Sequence, residues 1–224
     1  MNQQPIVFLH LPKCAGTSIR RALEADTKLR VIADYEDKVL SSSLKHRLKR
    51  LSNAPQEIQS DFLTVYFGHF RMKKYGKLNK KGARTATFLR DPVERYISHV
   101  NHWLLNPDPE HKLSMVLNSG RVTPIELVER SKLSHLYEFM MNPLRVDEFD
   151  FVGVQEQFSK SIEIFNSTFN LAIQPKQVNT LAQALSYEGR RKQWLPTKNE
   201  RESLKSIFDS EIRIYNDALR KLGV

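Results

Sequence analysis

Residues 10–18 have the composition of a turn that binds an anion between a strand and a helix. A short apolar run precedes them, and apolar residues at helical spacing follow. Gly16 allows the backbone to approach a ligand closely, and Thr17 or Ser18 can cap a helix whose free N–H groups face the anion. Lys13 adds a positive charge to the turn. We therefore predict an anion site here.

The order of residues distinguishes this turn from a nucleoside-triphosphate loop. Such a loop, G-x-x-x-x-G-K-[ST], places its Lys after the last Gly and holds Mg²⁺ with the next hydroxyl. Here Lys13 lies three positions before Gly16, and no earlier Gly opens the loop. A Lys in that place would lie over the terminal group of a nucleotide bound without a metal. The alternative is an ordinary Lys in a strand–helix turn.

The elements around this turn alternate between strands and helices. Apolar runs predict strands at residues 6–9, 29–32, 62–67, 85–89 and 149–154. A helix is predicted after the fourth run, because Asp91 can cap it and Pro92 suits its first position. This alternation predicts an α/β fold of the P-loop-like, three-layer α/β/α type. Its mainly parallel sheet would bind ligands at the carboxyl ends of the strands.

The remaining segments complete one predicted domain over residues 1–224. Residues 106–148 contain no strong strand and indicate a helical insertion over one edge of the sheet. Residues 36–52 have the pattern of a basic, solvated helix, with a role in binding an acceptor or nucleic acid as the alternative. Residues 189–192 form a basic loop, and residues 199–222 have the pattern of a closing amphipathic helix.

Three side chains with useful chemistry follow predicted strands: Lys13, His69 and Arg90. The carboxyl ends of parallel strands meet at one edge of a sheet, so we expect these side chains to lie near one another. A His can accept a proton near neutral pH. Taken singly, His69 could be structural and Arg90 could form an ion pair at a strand end. Together the three residues favour a functional site.

Composition limits the class of protein and of partner. The chain has 224 residues and a net charge of +10, from 35 Lys and Arg against 25 Asp and Glu. It is long enough for one sizeable core, and its charge favours nucleotides, acidic glycans, nucleic acid or an anionic membrane surface. No stretch is apolar enough to span a bilayer, so we expect a cytoplasmic protein.

Cysteine and histidine usage gives little support for a metal site. The single cysteine, Cys14, excludes an intrachain disulfide and is expected to be a buried, inert thiol. His99 and His102 have no carboxylate or Cys nearby at ligand spacing. His10 borders the anion turn, where we expect it to pack beside the site residues.

Two motifs in this order resemble those of sulfotransferases that use 3′-phosphoadenosine 5′-phosphosulfate (PAPS). Residues 12–18 are similar to the 5′-phosphosulfate loop P-K-x-x-G-T-[ST], and residues 90–98 to a second motif, R-[DN]-P-x-x-R-x-x-S. Gly68 and His69 resemble the Gly-His pair of carbohydrate sulfotransferases of the uronyl 2-O type. Looser matches extend the resemblance over the whole chain.

The resemblance implies a set of residues that bind the donor. In the second motif, Arg90 and Ser98 would bind the 3′-phosphate, the Arg through two hydrogen bonds. A late basic loop contacts the nucleotide in many sulfotransferases, which points to Arg190 and Arg191. The residues of the first motif that would bind PAPS are Lys13, Cys14, Ala15, Gly16, Thr17 and Ser18.

Catalytic roles follow from the same resemblance. His69 would take the proton of the acceptor hydroxyl as that oxygen attacks. Lys13 would stabilise the negative charge that builds on the bridging oxygen as the bond between sulfur and the nucleotide breaks. Arg95 lies on another face of its helix, so we expect it to be structural or paired with Glu94 or Asp91.

The sequence therefore predicts a PAPS-dependent sulfotransferase that acts without a metal on an acceptor hydroxyl, carried by a small molecule or glycan and most simply by a carbohydrate. No nucleic-acid partner is expected, and the acceptor's identity and the oligomeric state stay open. A small-molecule or nucleotide kinase is one alternative, and it would require ATP and Mg²⁺. A non-enzymatic protein that binds polyanions or nucleic acid is the other, and its affinity would fall steeply with salt.

Overall fold

A five-stranded parallel sheet forms the centre of the molecule. The computed structural model describes residues 4–35, 62–175 and 193–224. The strands are β1 (Ile6–Leu9), β2 (Leu29–Asp34), β3 (Leu63–Gly68), β4 (Arg84–Leu89) and β5 (Phe151–Val154). Their order is β2-β3-β1-β4-β5, and every neighbouring pair is parallel. The predicted α/β fold with a parallel sheet is confirmed.

Helices follow β1, β3, β4 and β5 and complete the described part of the molecule. They are α1 (Gly16–Ala25), α2 (Gly76–Lys80), α3 (Pro92–Leu105), α4 (Lys112–Asn118), α5 (Pro124–Glu129), α6 (Leu136–Met141), α7 (Phe158–Phe169), α8 (Lys198–Ile207) and α9 (Asp209–Leu222). The prediction of one closing helix over residues 199–222 is wrong, because the backbone turns at Phe208 between α8 and α9. That turn buries the Phe208 ring against Tyr96. In the described ranges, no helix is long and apolar enough to cross a membrane.

Two apolar cores hold these elements together. The larger core surrounds the sheet, and β1 and β5 are buried throughout, as expected for strands covered on both faces. The smaller core joins α3 to the segment over residues 106–148 and to α8. That segment is helical, as predicted, and contains no strand. The predicted helix at 36–52 and the basic loop at 189–192 lie outside the described residues.

Candidate functional site

Polar side chains follow the carboxyl ends of all five strands. Lys13 follows β1, His69 follows β3 and Arg90 follows β4. Because β3 and β4 flank β1, these three residues lie at one edge of the sheet, with the Lys between the other two. Tyr35 follows β2 and Gln155 follows β5, so they extend the same edge on either side. The topology thus brings together the three residues that the sequence singled out.

The turn between β1 and α1 has an unusual backbone. Lys13 and Ala15 have positive φ angles of 67° and 61°, which non-glycine residues rarely adopt outside strained functional turns. Ala15 is the N-cap of α1, and no side-chain hydrogen bond caps that helix. The prediction that Thr17 or Ser18 caps α1 is wrong, because the helix begins earlier, at Gly16, and includes both residues.

A histidine packs directly against this turn. A Cβ added to Gly16 would lie 1.9 Å from His10 Nε2, so the glycine is needed for the approach of the imidazole. The other ring nitrogen, Nδ1, shares a 3.0 Å hydrogen bond with the hydroxyl of Tyr35. The His10 ring also lies 4.4 Å from the His69 ring, measured between centroids. His10 therefore packs beside the site residues, as expected, and links the turn to His69.

His69 is a largely buried, neutral base. Burial lowers the pKa of His69 to about 4, and its Nε2 atom has no hydrogen-bond partner. The preceding residue, Gly68, lets β2 and β3 approach closely, since a Cβ there would lie 1.7 Å from the backbone oxygen of Asp34. The Gly-His pair thus has a packing reason as well as a chemical one. At neutral pH, Nε2 can accept a proton.

Arg90 and its neighbours occupy the part of this edge that follows β4. The Arg90 Nε atom has no hydrogen-bond partner and lies 4.0 Å from Glu156 Oε1. Burial and the nearby Arg90 guanidinium lower the pKa of Lys13, so these two cations share one part of the site. Asp91 accepts a 2.9 Å hydrogen bond from the Glu94 backbone N–H, which confirms that it caps α3.

The strand ends also hold several unsatisfied polar atoms. Buried side-chain atoms without a hydrogen-bond partner include His69 Nε2, Arg90 Nε and Gln155 Oε1, which follow β3, β4 and β5. Buried polar atoms are nearly always paired in folded proteins. A cluster of exceptions, containing a cation, a base and an amide, has the chemistry of a site for a polar, anionic ligand.

A model of the sulfotransferase family matches residues 2–216. The chain belongs to the sulfotransferase family. It is therefore a PAPS-dependent enzyme, which supports the sulfotransferase prediction over the kinase and polyanion-binding alternatives.

The chain is similar to two solved sulfotransferase structures. The sulfotransferase of Alicyclobacillus acidocaldarius shares 11% identity over 100% of this chain and 97% of its own, with a TM-score of 0.55, which supports the fold. The mouse sulfotransferase SULT7A1 complexed with PAP shares 11% identity over 97% and 84%, with a TM-score of 0.43. No curated protein sequence matches this sulfotransferase.

Arg95, the second arginine of the sulfotransferase motif, lies in the core. It is fully buried and forms a 2.8 Å ion pair with Glu211, so the prediction of a structural role is confirmed. The predicted partners are wrong. Asp91 caps α3, and Glu94 pairs with Arg201 at 2.6 Å across the surface. Because the Arg95 side chain points into the core, its ion-pair partner is Glu211 of α9.

The other predicted site residues occupy different environments. Cys14 is buried, and burial raises the pKa of its thiol to about 12, as expected for an inert cysteine. Ser98 is half-buried on α3, two turns beyond Arg90, and its role stays a prediction. Arg190 and Arg191 lie outside the described residues.

Sequence reasoning missed several residues at this edge: Tyr35, Tyr137, Gln155 and Glu156. The Tyr137 hydroxyl donates a 2.6 Å hydrogen bond to the Arg90 backbone oxygen. Glu156 accepts hydrogen bonds from the Asp91 backbone N–H at 3.1 Å and from a hydroxyl of α9 at 3.0 Å. Tyr35 and Tyr137 belong to neither of the two specific motifs, and Gln155 and Glu156 lie in a looser match after the last strand, for which only a structural role was expected. The positions directly after the strands could have indicated Tyr35 and Gln155.

His99 and His102 of α3 pack against an aromatic and an amide group, respectively. The His99 ring lies 4.1 Å from that of Trp103, and His102 Nδ1 lies 3.4 Å from the Asn106 amide nitrogen. Across residues 4–35, 62–175 and 193–224, no group of His, Cys, Asp and Glu side chains is arranged to hold a metal ion.

Proposed function

We propose that the chain transfers the sulfuryl group of PAPS to a hydroxyl of an acidic carbohydrate, with Lys13 and His69 as its catalytic residues. The observation that carries the proposal is the placement of Lys13, His69 and Arg90 after three adjacent strands. Two of these residues have a buried nitrogen without a partner. A base and two cations at one edge suit the transfer of an anionic group to an oxygen.

The donor half of the site is the turn before α1 together with Arg90. The turn offers a strained backbone and an uncapped helix end, both favourable to an anion. Arg90 Nε is free to donate to a phosphate oxygen, and Ser98 adds a hydroxyl on the following helix. PAPS, when bound, supplies an activated sulfuryl group with 3′,5′-ADP as its leaving group. The residues present therefore fit such a donor.

The described chain resumes after the basic loop and contacts the same helix at Trp194. Trp194 accepts a 3.1 Å hydrogen bond from the Asn101 side chain and donates one of 2.7 Å back to it. Asn101 lies on α3, one turn beyond Ser98. Arg191 precedes Trp194 by three residues, which span at most about 11 Å. The contact between Trp194 and Asn101 supports a role for Arg190 and Arg191 in donor binding.

The acceptor half of the site is at His69. Its Nε2 would take the proton of the acceptor hydroxyl while that oxygen forms its bond to sulfur. The bond between sulfur and the nucleotide oxygen breaks at the same time, and Lys13 would stabilise the charge left on that oxygen. The proton ends on His69, and the products are the sulfated acceptor and 3′,5′-ADP.

An acidic acceptor is favoured by the basic surface beside His69. Residues 69–90 contain no Asp or Glu, and Arg71 and Lys73 lie two and four positions after His69. The Arg71 guanidinium lies 4.4 Å from the Phe139 ring centroid, and Lys132 Nζ lies 5.8 Å from it. We name Arg71, Lys73 and Lys132 the acceptor surface. Three cations here favour carboxylate or sulfate groups on the acceptor.

Transfer of labelled sulfate from PAPS tests the reaction. We expect His69→Ala to lose about 10²- to 10⁴-fold in rate, and Lys13→Ala to lose rate at saturating PAPS. His135→Ala and Lys28→Ala are matched controls, because both side chains are exposed, and Lys28 precedes β2, at the opposite end of that strand from the site. The proposal fails if both site variants transfer sulfate as fast as their controls.

A second comparison tests the acceptor class. We expect a uronic-acid glycan to be sulfated with a lower KM than the same glycan after its carboxyl groups have been reduced. Replacing Arg71 and Lys132 with Ala should raise the KM for the acidic glycan only. Equal KM values for both glycans in the wild type would reject the acidic acceptor and leave sulfuryl transfer intact.

A further inference from the structure

We infer that Tyr137, a residue of the helical insertion, is a positioning residue that holds Arg90 in place for the donor. The Tyr137 hydroxyl donates a 2.6 Å hydrogen bond to the Arg90 backbone oxygen and accepts one of 3.2 Å from the Arg90 backbone N–H. One hydroxyl thus satisfies both backbone groups of Arg90, the residue directly after β4. This inference rests on the proposed role of Arg90 in binding PAPS.

The same hydroxyl contacts the first motif. It lies 3.8 Å from the Cys14 sulfur, in the turn between β1 and α1. Tyr137 is completely buried, and burial raises the pKa of its hydroxyl well above the usual value. The group therefore keeps its proton and can donate it to the Arg90 oxygen. A single side chain joins the two motifs whose relative position defines the proposed donor site.

Tyr137 is itself anchored by the buried ion pair of the core. Its backbone N–H donates a 2.6 Å hydrogen bond to Glu211 Oε1, while Glu211 Oε2 accepts from Arg95 Nη2 at 2.8 Å. The Arg95 guanidinium also lies over the Tyr137 ring, 4.9 Å from its centroid. Arg95 of the second motif therefore acts through Tyr137 on Arg90, which belongs to the same motif. This gives the buried arginine a role that needs no contact with the ligand.

The position of α6 explains why an inserted helix can act on the site. Tyr137 faces Arg90 and Cys14, whereas Phe139, two residues along α6, contacts Arg71 on the acceptor surface. β3 and β4 flank β1, so the residues that follow these three strands lie side by side. The helix α6 contacts residues after each of the three strands. Removing the Tyr137 hydroxyl would remove its hydrogen bonds to the Arg90 backbone without altering the contact between Phe139 and Arg71.

Calorimetry with 3′,5′-ADP tests this role. We expect Tyr137→Phe to weaken binding about tenfold, the scale of one or two lost hydrogen bonds. The KM for PAPS should rise, with the acceptor KM and kcat nearly unchanged. Tyr96→Phe is the matched control, because it removes a buried hydroxyl that donates to the Pro124 oxygen at 2.5 Å without contacting Arg90. Binding by Tyr137→Phe within twofold of this control would overturn the inference.

A double-variant cycle separates positioning from general stability. If Tyr137 acts through Arg90, adding Tyr137→Phe to Arg90→Ala should weaken 3′,5′-ADP binding no further. If the double variant loses affinity for 3′,5′-ADP by the product of the two single-variant losses, the inference is rejected. Unchanged binding by Arg90→Ala alone would instead reject the proposed donor site. The two failures are therefore distinguishable.

Discussion

The imidazole rings of His10 and His69 lie 4.4 Å apart between centroids, at the ends of two adjacent strands. His10 also touches Gly16 of the donor turn and bonds to Tyr35 at the end of β2. The two rings therefore connect the turn before α1, which is proposed to bind the donor, to His69, the proposed base for the acceptor hydroxyl. Burial lowers the pKa of both rings, and the nearby cations Arg20 and Lys13 lower the pKa of His10 further.

The first prediction concerns the pH dependence of activity. With the pKa of His69 near 4, its ring is already neutral and able to accept a proton well below pH 6.5. We expect kcat/KM to be flat on the acid side between about pH 5 and about pH 7, since this ratio reports the free enzyme. Initial rates at low substrate concentration measure it. An acid limb centred near pH 6.5 would contradict a buried base.

The same pKa shift predicts a loss of stability in acid. The folded state resists protonation of His69, whereas the unfolded chain takes up the proton near pH 6.5. Stability is therefore fully present above about pH 6.5 and falls as the pH drops towards about 4, by up to about 1.4 kcal/mol per pH unit for each such histidine. Urea unfolding at several pH values measures the slope, which His69→Gln should reduce. An unchanged slope would contradict the prediction.

The close approach of His10 to the turn gives a third prediction. In Gly16→Ala the new Cβ would lie 1.9 Å from His10 Nε2, so either the ring or the turn must move. We expect 3′,5′-ADP binding to weaken by about tenfold or more, the scale of a single steric defect of about 1–3 kcal/mol. Gly76→Ala is the control, because a Cβ there meets no atom within 4 Å.

Removal of the imidazole tests the cause of that loss. The double variant Gly16→Ala with His10→Ala should recover much of the donor affinity, because the new methyl group then has room. Calorimetry on the single and double variants measures the recovery. If the double variant binds no better than Gly16→Ala, the clash with His10 is not what disturbs the turn.

Much of the fold could be predicted from local patterns. A strand covered on both faces of a parallel sheet has a continuous apolar run, and Ile6–Leu9 and Phe151–Val154 have such runs. The start of α3 was also predictable, since Asp91 and Pro92 act within one turn of the chain. The placement of Lys13 and His69 at one edge then followed from the topology alone.

Contacts between distant segments could not be predicted in this way. Tyr137 is separated from Arg90 by 47 residues, and Arg95 from Glu211 by 116. Spacing along the chain contains no information about which side chain meets which across the core. The N-cap of α1 was missed for a different reason, because Ala15 occupies it through a positive φ rather than through a polar side chain.

The buried pair of Arg95 and Glu211 gives the last prediction. Neither side chain is exposed, so removing one partner leaves the other charge uncompensated in the core. We expect Glu211→Leu to cost about 3–5 kcal/mol in free energy of unfolding. Asp209→Asn, which breaks the exposed pair with Arg213, should change it by less than about 1 kcal/mol.

Replacing both charges separates the ion pair from simple packing. Arg95→Met with Glu211→Leu removes the unpaired charge, so it should be more stable than Glu211→Leu alone. Recovery should be incomplete, because the Tyr137 backbone N–H still lacks its acceptor and Arg95 no longer donates to the Leu133 oxygen. Urea unfolding of the two single variants and the double variant gives the coupling free energy. Additive losses would mean that the two charges do not stabilise each other in the core.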